Sequence, residues 1–246
     1  MGEPHEVMVV LKCAKELHDA LEPFLALDLA RPEVSIRAVD GTDALEVCEM
    51  DQAHTAMMRM RFDLTKSTRY VDMAPDFRFT VNLSRLLDVL KWFGYSGVAL
   101  ELIDKRLTVY NQNGSRSLSL SGEESRFRRG EYAYAVTLKT CSAEVGRLLS
   151  VASLDDTVEL EYAYGELHVR TASDTEEADM VYGRSKESAE ARTMVSSKLF
   201  TSIVRRAQRS DAGLFLSMAE DSPVGLSWRL GRADFEAVIA PRVTPK

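Results

Sequence analysis

Hydrophobic residues recur along this chain with two periods, one typical of helices and one typical of strands. In four segments, apolar residues are three and four positions apart, which places them on one face of a helix. The predicted helices cover approximately residues 12–22, 84–91, 139–150 and 197–209. Pro23 leaves the end of the first helix open, because proline has no backbone N–H to donate.

Between the helices, apolar and polar residues alternate as they do in half-buried antiparallel strands. Short turn sequences separate these runs, among them Asn113-Gly114, Tyr164-Gly165 and the segment 220–223. The predicted strands cover residues 34–39, 44–50, 98–103, 106–110, 115–121, 158–162, 168–171, 213–218 and 224–230. The pattern predicts an α+β fold in which antiparallel sheet predominates.

The helix-and-strand pattern occurs twice in each half of the chain. It therefore predicts two similar domains, residues 1–122 and 131–246, each with two helices packed on antiparallel sheet. The polar segment 123–130 carries three arginines and two glutamates and is predicted to be a short interdomain connector. An ordinary charged surface loop is the alternative interpretation of this segment, since charged connections usually lie in solvent.

The composition fits a globular intracellular protein. Of the 246 residues, 45% are hydrophobic and 28% are charged, as in ordinary folded domains. Residues 1–8 lack the basic and apolar stretches of a signal peptide, and no apolar run reaches the roughly 18 residues of a membrane-spanning helix. Cys13, Cys48 and Cys141 are odd in number and far apart, which favours reduced thiols. We expect no membrane partner and no cofactor.

The positive charge of this acidic chain is concentrated on one predicted helix. The net charge is −7, yet residues 197–209 contain four cations and no acid. The polar stripe of this helix consists of Lys198, Ser202, Arg205, Arg206 and Arg209. No aromatic residue and no asparagine or glutamine pair interrupts the stripe, so it suits phosphate contact without reading of bases. A helix face that is merely solvated is the alternative.

The sequence contains none of the common catalytic signatures. It has no phosphate-binding glycine loop, no G-x-S-x-G and no H-E-x-x-H motif, and its four histidines are scattered. The acidic pairs Glu123-Glu124, Asp155-Asp156 and Glu176-Glu177 fall in predicted turns or loops. We therefore predict that the protein is not an enzyme, with a metal-dependent nuclease or hydrolase as the less favoured alternative.

Three short segments of the chain carry motifs with a family likeness. They are Met50-Asp51-Gln52-Ala53-His54-Thr55, then Val81-Asn82-Leu83-Ser84 followed by Val89-Leu90-Lys91, and finally Ile239-Ala240-Pro241-Arg242-Val243. Together they resemble the proliferating cell nuclear antigen (PCNA) family of DNA sliding clamps, especially its archaeal members. Their order and spacing, with the fourfold helix-and-strand pattern, extend the resemblance over essentially the whole chain.

The resemblance implies a trimeric ring, homomeric or heteromeric, that encircles duplex DNA with its helices lining the hole. Such a ring is a processivity factor and a docking platform. Its implied partners are double-stranded DNA, sibling clamp subunits, DNA polymerase, clamp loader, flap endonuclease and DNA ligase. The implied location is the cytoplasm or nucleoid of an archaeon, or a eukaryotic nucleus. A checkpoint-type clamp subunit that recruits damage-response factors is the alternative.

The resemblance also assigns residues to three surfaces. The implied DNA-facing residues are Lys15, Arg85, Lys91, Arg147, Lys198, Arg205, Arg206 and Arg209. A pocket for a short helical plug, which bears two aromatic residues and one aliphatic residue, comprises Met50, His54, Met57, Phe127, Pro223, Val238, Ile239, Ala240, Pro241 and Val243. The subunit interface pairs a strand with Ser115, Leu118 and Leu120 with a neighbouring subunit's strand that carries Ala178, Met180 and Tyr182.

The chain departs from the family pattern in its connector and at two single positions. The connector is short and rich in arginine, and it offers only Phe127 where relatives have several aliphatic residues. Thr55 replaces the usual valine and makes the pocket more polar. Asp88 stands where relatives often carry lysine, which reduces the positive charge of the DNA-facing surface. For Met57 and Ile239, ordinary core residues are the alternative interpretation.

Overall fold

Four α-helices and seventeen β-strands are present in the residues that the computed structural model describes. Those residues are 7–29, 33–39, 42–65, 70–71, 78–103, 105–121, 132–152, 156–172, 177–184, 189–210 and 212–242. The helices are α1 Ala14–Leu21, α2 Leu83–Phe93, α3 Ser142–Ala152 and α4 Ser197–Ala207. None of the described helices has the length and apolar character needed to cross a membrane.

The strands fall into an N-terminal and a C-terminal series. The first series is β1 Val7–Leu11, β2 Glu33–Ala38, β3 Ala44–Met50, β4 Ala56–Asp63, β5 Tyr70–Val71, β6 Arg78–Asn82, β7 Val98–Ile103, β8 Arg106–Asn111 and β9 Gly114–Ser119. The second series is β10 Val136–Thr140, β11 Thr157–Ala163, β12 Glu166–Ala172, β13 Glu177–Arg184, β14 Ala191–Ser196, β15 Leu214–Met218, β16 Val224–Leu230 and β17 Ala233–Ile239.

The chain divides into two units, each of which contains two helices. The first unit comprises Met1–Phe24, Leu29–Glu49 and Arg59–Arg128, and the second comprises Leu25–Asp28, Met50–Met58 and Arg129–Lys246. Two short segments of the N-terminal half thus belong to the second unit. The predicted connector 123–130 lies outside the described residues, and the predicted domain boundaries stay a prediction.

In the first unit, α1 and α2 lie beside each other. One sheet has the strand order β5-β1-β7-β8-β9, and β6, β2, β3 and β4 are also neighbours in that order. The N–H groups of Ala14 and Lys15 donate to the carbonyl oxygens of Ser96 and Gly94, at 2.9 and 2.8 Å. These bonds place the start of α1 beside the end of α2 and satisfy donors that a helix start leaves open.

The second unit repeats this arrangement. Its strands form the orders β13-β12-β11-β14 and β10-β15-β16-β17, and α3 lies beside α4. The Ser197 N–H donates to the carbonyl oxygen of Asp156 at 3.0 Å, and the Ser197 hydroxyl donates to the carbonyl oxygen of Ala152. The start of α4 therefore rests against the end of α3, as α1 rests against α2.

The predicted α+β fold with antiparallel sheets is confirmed, but the structure corrects three helix boundaries. The first helix ends at Leu21 and continues as a 3-10 helix over Glu22–Ala26, where Pro23 removes one backbone donor. The third helix begins only at Ser142, because the preceding residues pair with β15 as strand β10. The fourth helix ends at Ala207, before the predicted limit of residue 209.

Candidate functional site

A basic face runs along α4. Lys198 and Arg205 are exposed on this face, and Arg206 is half-buried. On the opposite side of the helix, Phe200 and Ile203 are completely buried. The helix contains no acidic residue.

The cations of this face cluster toward the end of the helix. Arg205 and Arg206 occupy the last turn of α4, and Arg209 is exposed in the turn that follows. Cations at a helix C-terminus are favoured by about 0.3–1 kcal/mol each, because the last carbonyl groups carry partial negative charge. The structure thus brings four predicted DNA-facing residues to one helix and its following turn.

A fifth predicted cation, Arg147, is exposed on the adjacent helix α3. The acidic residue of the same helix, Glu144, is turned back toward the helix start. Its carboxylate accepts hydrogen bonds from the Cys141 N–H and the Thr140 hydroxyl, both at 3.0 Å. The backbone bond from Cys141 is the main reason that the pKa of Glu144 is lowered, and the bond from Thr140 adds to it.

The remaining predicted cations lie in the first unit, where acids accompany them. Lys15 on α1 forms an ion pair with Asp19 one turn further along, and His18 Nδ1 lies 3.1 Å from the other oxygen of the same carboxylate. Arg85 and Lys91 are exposed on α2, and exposed Asp88 stands between them in the sequence. This pair of helices therefore presents a mixed rather than a basic surface.

The motif Met50 to Thr55 forms a tight loop organised by one buried carboxylate. Asp51 accepts hydrogen bonds from the Thr55 N–H at 2.7 Å, from the Thr55 hydroxyl at 2.8 Å and from the Ala56 N–H at 2.6 Å. His54 lies exposed at the tip with a φ of 57°. Asp51 therefore fixes the loop, and His54 is one of the side chains that the loop presents to solvent.

The C-terminal part of the predicted pocket follows the alternation of β17. Val238 and Ala240 are half-buried, and so are the prolines Pro223 and Pro241. The Ala240 N–H donates to the carbonyl oxygen of Thr55 at 2.7 Å, which joins this strand end to the loop. The predicted pocket residues Phe127 and Val243 lie outside the described residues.

Two predicted pocket residues are buried and require a correction. Ile239 has no exposed surface and Met57 is also buried, so neither belongs to the accessible part of this surface. Ile239 points to the opposite side of β17 from Val238 because strand side chains alternate. Met50, by contrast, is half-buried and contributes to the accessible surface.

Sequence reasoning missed two tyrosines beside the same strands. The Tyr134 hydroxyl lies over Gly225, and Gly225 is the cross-strand neighbour of Val238. Tyr132 is exposed, and its ring centroid lies 6.4 Å from that of Tyr134. A pair of tyrosines directly after the polar segment 122–131 was a signal in the sequence, but their contact with Gly225 links distant positions.

Each unit has a strand at the edge of a sheet among the described residues, β9 in the first and β13 in the second. On β9 and just beyond it, Ser115 is exposed and Leu118 and Leu120 are half-buried. On β13, Ala178 and Met180 are half-buried, and the side chain of Tyr182 is not among those described. These predicted interface residues therefore lie on or next to strands that have only one pairing partner among the described residues.

A tryptophan beside β9 was not predicted. Trp92 on α2 is 51% exposed, the Arg116 guanidinium lies 4.7 Å from its ring centroid, and its ring lies against Gly114. A large aromatic side chain that is held from two sides and still half exposed is typical of a protein-interaction surface. No periodic pattern marked Trp92, because its partners lie on another element.

The described residues contain no cluster of side chains suited to a catalytic metal site. No group of three or more histidine, cysteine, aspartate or glutamate side chains is placed there to hold a metal ion. Of the acidic pairs weighed for a nuclease, Glu123-Glu124 and the residues Asp155 and Glu176 lie outside that part of the chain. The three cysteines are not joined in disulfides, and burial raises the pKa of the Cys48 thiol to about 11.

Comparison with known proteins identifies the fold. No protein-family model and no curated protein matches the chain. The PCNA of A. fulgidus, solved with the C-terminal region of FEN-1 bound, has a TM-score of 0.81 at 18% identity and covers 98% of this chain and 100% of that chain. The PCNA of Thermococcus kodakaraensis has a TM-score of 0.79 at 15% identity, with 96% and 99% covered.

A heteromeric clamp is among the similar structures. The PCNA2-PCNA3 complex of Sulfolobus tokodaii contains a chain with a TM-score of 0.77 at 13% identity, covering 96% of this chain and 99% of that chain. Identities this low establish the fold alone, but they do so over nearly the full length of both chains. The chain therefore has the fold of the proliferating cell nuclear antigens, as its sequence motifs predicted.

Proposed function

We propose that the chain is one subunit of a DNA sliding clamp, a ring that encircles duplex DNA and tethers other proteins to it. The observation that carries this proposal is the basic face of α4. It occurs in a chain that has the clamp fold and a net charge of −7. An acidic protein has no general attraction to nucleic acid. Cations gathered on one helix therefore point to a local phosphate-binding surface.

The side chains of this face support binding to phosphates without reading of bases. Lysine and arginine contacts to phosphate set the position of a protein on DNA but carry no sequence information. Because every phosphate presents the same acceptors, such contacts exchange along the duplex at little cost. A closed ring with this lining slides while remaining linked to DNA, and its role is to bind and tether, without catalysis.

The surface that includes His54, Val238 and Ala240 is the proposed docking site for proteins that act on DNA. The A. fulgidus clamp was solved with the C-terminal region of FEN-1 bound, which supports a flap endonuclease as one partner. DNA polymerase, DNA ligase and a clamp loader are further proposed partners. Tyr134 and Pro223 add apolar area to this surface, which suits a short amphipathic segment with aromatic anchors.

Assembly into a trimer would use the open edges of β9 and β13. An unpaired edge leaves a row of backbone donors and acceptors that another strand can satisfy. Pairing β9 of one subunit with β13 of the next gives every subunit the same two contacts and closes a ring. The PCNA2-PCNA3 complex of Sulfolobus tokodaii supports sibling subunits as one source of the neighbouring edge. We place such a ring with the DNA, in the cytoplasm or nucleoid of an archaeon or in a eukaryotic nucleus.

Mass measurement of the native assembly tests this proposal. The purified chain is measured alone and after mixing with candidate sibling clamp subunits from the same organism. We expect a trimeric mass in at least one sample, and its composition distinguishes a homotrimer from a heterotrimer. A monomeric mass in every sample, at concentrations where related clamps are trimeric, would contradict the ring.

A further inference from the structure

The two helix pairs of the chain differ in the charge that they present. On α1 and α2, the three cations Lys15, Arg85 and Lys91 are matched by the three acids Glu16, Asp19 and Asp88. On α3 and α4, the four cations Arg147, Lys198, Arg205 and Arg206 are accompanied by the single acid Glu144. Exposed Arg209, two residues after the end of α4, enlarges this difference.

In the first unit, the geometry reduces the attraction for an anion further. The Lys15 ammonium is held by Asp19, so a phosphate that approaches Lys15 has to compete with a carboxylate. Asp88 is three residues from both Arg85 and Lys91, which places all three on neighbouring positions of one helix surface. A phosphate near either cation is repelled by the same aspartate.

In the second unit, the single acid of the helix pair, Glu144, lies near Arg147 on α3 and not on α4. The Glu144 carboxylate accepts hydrogen bonds from the Cys141 N–H and the Thr140 hydroxyl, and these bonds hold it at the start of α3. Three cations, Arg205, Arg206 and Arg209, lie in the last turn of α4 and just beyond it. No acidic residue interrupts the sequence from 191 to 210, so α4 itself supplies no carboxylate beside these cations.

We propose that in this subunit only the α3–α4 pair binds the DNA backbone, whereas the α1–α2 pair presents a nearly neutral face to it. This inference rests on the proposed sliding-clamp function and divides that function between the two units. The cations of α4 then set the number of phosphates that this subunit contacts, and Asp88 and Asp19 limit DNA binding by the first unit. Within the ring, this subunit therefore holds DNA through one of its two helix pairs.

The salt dependence of DNA binding measures these contacts. The logarithm of the binding constant falls with the logarithm of salt concentration by about 0.9 for each phosphate that the protein neutralises. The assembled protein is titrated with fluorescent duplex DNA at a series of salt concentrations. Two variants each remove two cations, R205Q/R206Q from α4 and R85Q/K91Q from α2. Thermal unfolding and native mass verify that both variants fold and assemble like the parent protein.

We expect R205Q/R206Q to make the slope less negative by about 0.9 for each phosphate that the variant no longer neutralises, while R85Q/K91Q leaves the slope unchanged. A third variant, D88N, is expected to strengthen binding, because it removes the acid between two cations. Equal slope changes in the two double variants would overturn the inference but leave the sliding clamp intact. Absence of any binding by the parent protein would overturn the sliding clamp and this inference with it.

Discussion

The hydroxyl oxygen of Tyr134 lies 2.6 Å from the position that a Cβ atom would occupy at Gly225. The glycine therefore makes room for the tyrosine, and the tyrosine covers a strand position next to Val238. Real Cβ atoms do not tolerate so short a contact, so any larger residue at position 225 has to displace the ring. This contact shapes one end of the proposed docking surface.

The first prediction concerns this contact. Gly225→Ala is expected to lower the free energy of unfolding by about 1–3 kcal/mol, the usual cost of inserting a methyl group into a packed site. In a Tyr134→Ala background the same substitution should cost much less, because the obstructing ring is gone. Urea unfolding of the four proteins of this double-mutant cycle gives the coupling directly. Strictly additive effects would show that Tyr134 does not occupy this position.

The second prediction concerns the loop that presents His54. Asp51→Ala removes the acceptor of three hydrogen bonds, each worth about 1.5–3 kcal/mol when the acceptor is charged, and the loop should lose its defined shape. We expect at least tenfold weaker binding of a peptide with two aromatic anchors, measured by calorimetry. DNA binding should stay unchanged, since the loop contains none of the cations of α4. Gln52→Ala, a change at an exposed neighbour, is the control, and equal losses for both variants would count against the role of Asp51.

The third prediction concerns assembly. Trp92→Ala removes a half-exposed aromatic anchor beside the open edge of β9, and interface tryptophans of this kind often contribute about 2 kcal/mol or more. Sedimentation should therefore show a trimer that dissociates at least tenfold more readily. Arg116→Ala should have a smaller effect, because it removes only the cation–π contact of about 0.5–2 kcal/mol. Tyr164→Ala is the control: it alters an aromatic residue that is 96% exposed at a hairpin tip and should leave the stability of the trimer unchanged. If the Trp92 variant assembled like the parent protein, that result would contradict the proposed interface.

The fourth prediction concerns pH. Burial on its own would raise the pKa of the Glu46 carboxyl, but hydrogen bonds from Arg37 and Arg59 outweigh it and lower the pKa below the usual value of 4.5. A lowered folded-state pKa means that the stabilisation is fully present above the unfolded value and is lost as the pH falls through the folded value. Glu46→Gln should therefore lower stability at pH 7, by about 1–3 kcal/mol.

The same variant supplies its own control as the pH falls. Once Glu46 is protonated in the parent protein, it resembles the glutamine amide in shape and charge, so the stability difference should shrink below pH 4.5. Denaturant titrations at several pH values measure this difference. A constant difference between pH 7 and acid conditions would show that Glu46 does not act through its charge.

The elements of this fold were largely predictable because their signals are local. Periods of apolar residues marked all four helices, and turn residues such as Tyr164-Gly165 marked several hairpins. Strand β4 was not predicted, since Ala56, Met57 and Met58 are all buried and the strand lacks a clean alternation at its start. The assignment of Leu25–Asp28 and Met50–Met58 to the second unit was equally invisible, because it depends on contacts with residues far away in the sequence.

The candidate site was predictable only where one element carries it. The basic stripe of α4 could be found by counting along a helix, and so could Arg85 and Lys91 on α2. Whether a cation is offset by a neighbour required the structure, which pairs Lys15 with Asp19 and turns Glu144 toward Cys141. Alternation along β17 could have indicated that Ile239 is buried, but Ile239 was assigned to the pocket together with its neighbours in the motif.

Topological linkage to DNA is the most direct test of the account. A linear duplex carries biotin at both ends, so that bound streptavidin blocks the ends. The clamp, together with any sibling subunit that assembly requires, is added either before or after streptavidin. We predict that clamp added before closure stays with the DNA through gel filtration at high salt and is released when a restriction enzyme cuts the duplex. Clamp added after closure should not be retained. Equal retention in both orders, or retention that survives cutting, would contradict a ring that encircles DNA.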